Sequence, residues 1–533
     1  MRDHWRVHSS EDLSGVRMTE LLAALSLGTD LGMGHPMEHV LRQTYLALRL
    51  AEEMGLGTDE RAVVYYSSMM AWVGCHIDAY EQAKWFGDDC AMKHDIRTVD
   101  FGKPVESAAF VVRHLGSGRP MTKRAALAVT FLGDGFQAMD AMLGNHWRAA
   151  DQLADRLGLG DVVRANIEQT FERWDGKGEP GAVGGADVLV ASRLVNLADV
   201  VEVFHAAGGV DAAMAVARAR RGTQFDPDVV DLFCGHAAAI FDELEHVTSW
   251  DAVIDRQPSE SHYLVDEELD TALEAIGDFV DLKAPFAIGH ARNVADLVTM
   301  AGREVGLPAG DVQLVRRAAL VHDVGQLGVP NSIWDKRGAL TAPEEERVRL
   351  HPYLLERMFA SCALRSIGAL AAEHHERLDG SGYPRRLTGE TLSLPSRILA
   401  AADVYQTKTE ARPHRPAARA DDVESHMRDE VRSGRLDGDA VDAVLRAAGH
   451  RVRRKREWPA GLTAREVEVL CRVARGLSHK QIAEQLVISR KTASNHVERI
   501  YAKIGVSNRA MASVFAMRHG LMLAHDTEAA GST

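Results

Sequence analysis

The chain has 533 residues, room for three to four domains at about 150 residues each, and its composition (46% hydrophobic, 26% charged) excludes a chain dominated by disorder, because it carries enough apolar surface to offset chain entropy. No run of 18 or more uncharged apolar residues occurs, Glu11, Asp12, Arg17 and Glu20 interrupt the apolar pattern of residues 1–30, and the five cysteines (Cys75, Cys90, Cys234, Cys362, Cys471) are scattered. The reading is therefore a cytoplasmic chain with no membrane span, signal peptide, disulfide framework or thiolate zinc site. The net charge of −14 is uneven: residues 451–519 hold 15 Lys and Arg against 5 Glu, a +10 segment on a body of −24, as expected of a polyanion-binding module joined to an acidic partner.

In chain order, Val40, Leu41, Tyr45, Leu48, Leu50 and Ala51 predict a helix near 38–54, and Ala291, Val294, Ala295, Leu297, Val298 and Ala301 predict one near 290–305. Strict alternation of β-branched residues is missing, so the expected fold class is all-α. Turn residues cluster at 175–185, 379–384 and 411–416, and 449–461 (GHRVRRKREWPAG) reads as a basic linker. An internal repeat organises what lies between. Residues 172–180 (ERWDGKGEP) match 376–384 (ERLDGSGYP), 191–203 (ASRLVNLADVVEV) match 396–408 (SRILAAADVYQTK), and 34–40 (GHPMEHV) match 289–295 (GHARNVA). The expected organisation is an N-terminal extension (1–19), two related helical domains (20–245 and 260–448), the linker, a C-terminal module (462–522) and a flexible tail (523–533).

The second copy strings polar residues through apolar helical sequence: His290, then His322-Asp323, His351, His374-His375 and Asp403. Buried imidazoles and carboxylates must be paired or bound to a cation. Neutral imidazole with carboxylate suits two divalent transition-metal ions such as Fe, Mn, Zn or Ni. Adjacent His and Asp lie about 100° apart on a helix, so the pair can serve two neighbouring ions with the carboxylate bridging.

The strings HDVGQLGVP (322–330), LHP (350–352), HHERLDGSGYP (374–384) and AADVY (401–405) resemble the HD-GYP subgroup of HD-superfamily metal-dependent phosphohydrolases. That resemblance implies a helical bundle with a bi- or trinuclear metal centre that hydrolyses a cyclic di-GMP phosphodiester. It implies His290, His322, Asp323, His351, His374, His375 and Asp403 as metal ligands, Asp323 bridging, and Gly382, Tyr383 and Pro384 as the substrate-side loop. The catalytic group is read as Asp323, His322 and Gln326. Three positions depart from the family pattern: Gln326 stands for its usual Lys, Gln406 for a second Asp, and Phe286 for the Glu that a third metal needs. Two metals at most are expected, and Gln326 brings a hydrogen bond to phosphate but no cation.

On the same pattern the first copy carries Ala71-Trp72 for His-Asp and Thr170-Phe171 for His-His, leaving His35 and Asp199 of the ligand set. Two ligands cannot hold a dinuclear centre, so this copy reads as a scaffold, dimerisation or ligand-sensing domain. His76, Asp78, Asp88, Asp89, His94 and His146 read as ordinary core and surface positions.

At the C-terminal end, Thr463 with Glu466 forms a capping-box pattern, Val467, Leu470 and Val473 give a buried face, and Gly476-Leu477-Ser478 breaks the helix. A second helix runs Lys480–Leu486, and a third, capped by Ser489, runs to about Ile504 with Ala493, Val497, Ile500 and Ile504 on its packed side. This is a helix-turn-helix, and it resembles that of the LuxR family of transcriptional regulators. The resemblance implies a four-helix domain that reads double-stranded DNA as a homodimer. Ser494, Asn495 and Glu498 would read base edges, Lys491, Thr492, Arg499 and Lys503 would hold phosphates, and Val514, Phe515 and Met517 would pair subunits. The Arg451–Arg456 cluster would add non-specific phosphate affinity. The combined reading is a DNA-binding regulator carrying a metal-dependent phosphohydrolase that acts on a phosphate ester or cyclic dinucleotide. The alternative is a catalytically inactive, ligand-gated transcription factor whose HD domains bind nucleotide or metal and mediate dimerisation.

Overall fold

The computed structural model describes residues 15–451, 458–486, 488–519 and 521. It is helical almost throughout, as the all-α expectation requires. Its one sheet among the described residues is a two-residue antiparallel pairing of Val16–Arg17 with Tyr263–Leu264, which ties the start of one copy to the start of the other. The chain divides after His450 into two compact units, and both copies of the repeat lie in the first.

The repeat extends to backbone detail. In each copy a residue in left-handed conformation, Glu38 (φ 83°) or Gly289 (φ 82°), opens a helix, His39–Glu53 or His290–Glu304. The amides of Val40 and Ala291, next along, donate to Asp30 Oδ1 and Asp281 Oδ2, both at 3.1 Å. Helices Thr58–Met70 and Ala309–Val321 follow, and each runs into a 3₁₀ turn, Val73–His76 or Val324–Gly328. A Cβ on Gly74 would sit 2.1 Å from the His146 carbonyl oxygen, and one on Gly325 1.9 Å from that of His351, so both turns admit only glycine. Glu172 and Glu376 accept the amides of Ala182 (2.9 Å) and Arg385 (2.7 Å), and both loops hold a cis X-Pro bond, Glu179-Pro180 and Tyr383-Pro384.

The copies pack on each other reciprocally. His76 of the first meets the Phe279 carbonyl of the second (Nε2 to O 2.8 Å), while Leu327 of the second presses on Gly28 of the first. These are the same two positions with the copies exchanged, since both pairs are offset by the same number of residues as His39 and His290. The extra length of the first copy lies between Gly74 and His146 and has its own apolar cluster, including Trp85, Phe86, Phe110, Leu115 and Phe131. One helix, Val190–Ala219, has the length and hydropathy of a membrane span. Its backbone leaves helical geometry at Gly208 and Gly209, and Leu194, Leu197, Ala198 and Val201 are buried within the unit.

The second unit contains helices Ala464–Ala474, His479–Leu486, Arg490–Ile504 and Arg509–Arg518. Its caps are side chains foreseen from the sequence: Thr463 and Glu466 form a reciprocal box, and Ser489 Oγ accepts the Thr492 amide at 3.0 Å. Leu470, Ile482, Ala493, Val497 and Ile500 form the core. Val514 and Met517 are exposed, whereas Phe515, expected on a pairing face with them, packs against that core and against the His519 ring. Most of the basic Arg451–Arg456 cluster and the tail beyond Leu521 fall outside the described residues.

Candidate metal centre

Five helix ends and turns of the second copy converge. His290 opens one helix, His322 and Asp323 join the next to its 3₁₀ turn, His351 opens another, His374-His375 follow helix Arg365–Ala371, and Asp403 lies within Leu394–Thr409. The seven residues form two sets around one carboxylate. Asp323 Oδ2 faces His290 Nε2 (3.7 Å) and His322 Nε2 (3.5 Å), while its Oδ1 faces His351 Nε2 (3.6 Å) and His374 Nε2 (3.7 Å). Asp403 spans the sets in the same way, Oδ1 to His290 Nε2 (3.5 Å) and Oδ2 to His375 Nδ1 (3.7 Å).

Two observations test whether this set fits metal ions. The paired imidazole nitrogens lie 3.3 Å apart (His290 and His322) and 3.1 Å apart (His351 and His374). Ligands about 2.1 Å from a shared ion lie roughly 3.0–3.4 Å from one another. The far ring nitrogens are already engaged. Nδ1 of His322, His351 and His374 meets the carbonyl oxygens of Ala319, Val348 and Ala371 at 2.7, 2.6 and 2.7 Å, and Nδ1 of His290 meets Glu410 at 3.0 Å. With Nδ1–H donating outward, the Nε2 of His322, His351 and His374 presents its lone pair inward, the tautomer a metal ligand needs. His290, His322 and Asp323 form one group able to hold an ion, and His351, His374 and His375 another.

The electrostatics suit a cation. Burial drives His374 and His375 well below the usual imidazole range, so both are neutral. Burial would raise Asp403, but the surrounding histidines hold it well below the carboxylate range, and Asp323 shifts the same way for the same reason. Burial also opposes charge on His290, yet Asp403, Glu410 and Asp323 outweigh it and push the ring up to about 10. The carboxylates thus draw positive charge into the site.

The Gly-Tyr-Pro loop closes one side. A Cβ on Gly382 would lie 2.5 Å from the Arg377 nitrogen and the His375 carbonyl oxygen, so glycine lets the loop pass. The Tyr383 ring then lies 4.7 Å from that of His375, with the Arg349 guanidinium over it at 5.5 Å. Gln326 lines a cleft beside Asp323, and the Gln406 amide donates to Glu410 at 2.8 Å. At the position of a third-metal ligand, Phe286 lies under the Arg412 guanidinium (4.8 Å), which also pairs with Glu410 (2.7 Å). Glu410 and Arg412 escaped the motif reading because they lie past its last station.

The first copy corrects one expectation. The counterpart of His290 is His39, which starts the equivalent helix; His35 is four residues too early. The Gly-His dipeptide misleads because Glu38 takes the left-handed position that Gly289 holds in the other copy. His39 meets Asp199 Oδ1 at 3.1 Å and also binds Glu202, while buried His35 stacks on it at 4.7 Å. Where the second copy has its facing ligands, the first has Arg97, whose Nε donates to Asp199 Oδ1 (2.7 Å) and Oδ2 (2.8 Å) and whose guanidinium lies 4.0 Å over Trp72, the residue in place of Asp323. A cation fixed on the chain thereby sits against Asp199. A further grouping, Asp88, Asp89 and Cys90, holds the Lys93 ammonium 3.0 Å from Asp89.

In the C-terminal unit Asn495, Glu498, Lys491, Thr492 and Arg499 are exposed along helix Arg490–Ile504, and Ser494 is half-buried, 3.5 Å from Glu498. Lys503 reaches Glu466 (2.7 Å) and the Gly461 carbonyl (3.1 Å) within the unit.

Comparison with known proteins agrees with both units. The family model described as HD domain matches residues 274–440, and that for bacterial regulatory proteins of the luxR family matches 460–516. The 3'3'-cGAMP-specific phosphodiesterase 3 of Vibrio cholerae is 28% identical over 81% of this chain and 94% of its own length. The cyclic di-GMP phosphodiesterase response regulator RpfG of Xanthomonas campestris is 38% identical over 29% of this chain and 40% of its own. A crystal structure of a cyclic GMP-AMP specific phosphodiesterase of V. cholerae shares the fold, with a TM-score of 0.55 at 22% identity over 81% of this chain and 98% of that one.

Proposed function

From a chain that carries an HD domain and a LuxR-family regulatory domain, we propose a DNA-binding regulator whose second copy hydrolyses a 3',3'-cyclic dinucleotide. One observation carries the hydrolase reading: the two oxygens of Asp323 face two separate histidine pairs at 3.5–3.7 Å. His290, His322 and Asp403 with one oxygen of Asp323, and His351, His374 and His375 with the other, would hold two divalent ions. Such ions supply a water acidic enough to attack at neutral pH and a Lewis acid for the phosphoryl oxygen. The protein residues hold the phosphodiester against that centre. Tyr383 packs beside His375 at the lip, and Gln326 offers an amide hydrogen bond to a phosphate oxygen. Water adds to phosphorus, one P–O bond breaks, and the ring opens to a linear dinucleotide. The likeness to cGAMP- and cyclic di-GMP-specific relatives supports that substrate class.

Full-length protein reconstituted with iron, manganese, zinc or nickel is expected to convert 3',3'-cGAMP or cyclic di-GMP to a linear product on chromatography. Tight binding of both without turnover of either, or of bis(p-nitrophenyl) phosphate, would establish the ligand-gated regulator instead, the reading that Gln326 favours.

For the C-terminal unit we propose that Asn495 and Glu498 read bases and that Lys491, Thr492 and Arg499 hold phosphates. Selection from randomised duplexes is expected to show that Asn495→Ala loses preference at one base position, at about 1–3 kcal/mol, with the salt dependence of binding unchanged. Unaltered preference at every position would assign the reading face to other residues.

A further inference from the structure

Beside the proposed centre lies a narrow cleft with room for about one water-sized group, lined by Asp323, Gln326, Lys283, Trp334 and Asp281. Lys283 is 4% exposed, and its ammonium has no hydrogen-bond partner among the described residues. The nearest carboxylate oxygen it pairs with, Asp89 Oδ2, is 4.0 Å away and already holds Lys93 at 3.0 Å. The indole N–H of Trp334 is likewise buried and unpaired, and its ring lies 6.2 Å from that of His351. Asp281 is occupied with the Ala291 amide at 3.1 Å.

A buried ammonium without a close partner is costly and persists where something compensates it. Lys283, Trp334 and Gln326 line this cleft next to Asp323, and three such donors suit a phosphate oxygen. Resting on the hydrolase reading above, we propose that Lys283 and the Trp334 indole bind phosphate oxygens of the substrate in this cleft, so that Lys283 supplies the cation that Gln326 does not. Asp89, on the insertion of the first copy, then acts as a positioning residue that anchors Lys283 without neutralising it.

Inorganic phosphate is the probe, titrated calorimetrically into the metal-loaded full-length chain with metal content measured on the same samples. Lys283→Met is expected to weaken phosphate binding by at least about tenfold, the worth of a hydrogen bond to a charged group, at unchanged metal content and without a lower melting temperature. Lys283→Arg should keep affinity within about threefold. Trp334→Phe retains the ring, removes the donor and should weaken binding about threefold or more. Wild-type affinity in both Lys283→Met and Trp334→Phe, or a lower melting temperature in Lys283→Met with phosphate binding intact, would overturn the proposal and leave Lys283 a structural partner of Asp89. These readings are independent of turnover, so loss of the hydrolase reading would show separately, as wild-type protein that binds cyclic dinucleotide without turning it over.

Discussion

Asp323→Asn is expected to lower the hydrolysis of any cyclic dinucleotide the protein accepts by on the order of a thousandfold or more, with less than two metal ions retained per chain. The argument is geometric. Each oxygen of Asp323 faces a different pair of imidazoles, whereas Asp403 lies between the rings of His290 and His375. An amide keeps the shape, removes the negative charge, and turns one of the two acceptors into a donor aimed at ring nitrogens that already present lone pairs. Stripping the wild type with a chelator and restoring manganese or iron should recover its activity, and the same treatment should leave the variant inactive. Full metal content with undiminished turnover in Asp323→Asn would refute the bridging role.

The second large effect falls in the copy that lacks a centre. Arg97→Ala is expected to destabilise the first unit by about 3–5 kcal/mol, because it leaves the Asp199 carboxylate, 2% exposed, without its main cation. The cation–π contact with Trp72 is lost as well. The double variant Arg97→Ala, Asp199→Asn removes the stranded charge and should recover part of the loss, since His39 keeps its bond to Glu202. Denaturant unfolding of the three proteins measures this. Metal content should not rise in either variant, because Trp72, Thr170 and Phe171 offer no ligand set for the space Arg97 leaves. A cost below about 1 kcal/mol for Arg97→Ala would mean that solvent already reaches Asp199.

The proposed ligand residues of the second copy were legible in the sequence because each interrupts apolar helical sequence with a group that cannot be buried alone. The spatial grouping into two sets was not, since it depends on how helices far apart in the chain cross. The carbonyl partners of Nδ1 were hidden for a local reason: Ala319, Val348 and Ala371 each lie three residues before their histidine, and any residue type would serve. His39 was within reach, because the offset from Ala71 to His322 also carries His39 to His290. Arg97 and Lys283 were out of reach. Each acts on residues of a distant segment, and an arginine or lysine in a helical sequence reads as surface until the fold buries it.

The exchange of equivalent contacts between the two copies, His76 on Phe279 and Leu327 on Gly28, is the pattern of an isologous pair made within one polypeptide. In two identical subunits every substitution at such a face occurs twice, so placing Trp72 where the other copy has Asp323 would have altered both halves together. Covalent tandem linkage removes that symmetry requirement, and one half could exchange chemistry for architecture while its twin kept the reactive side chains.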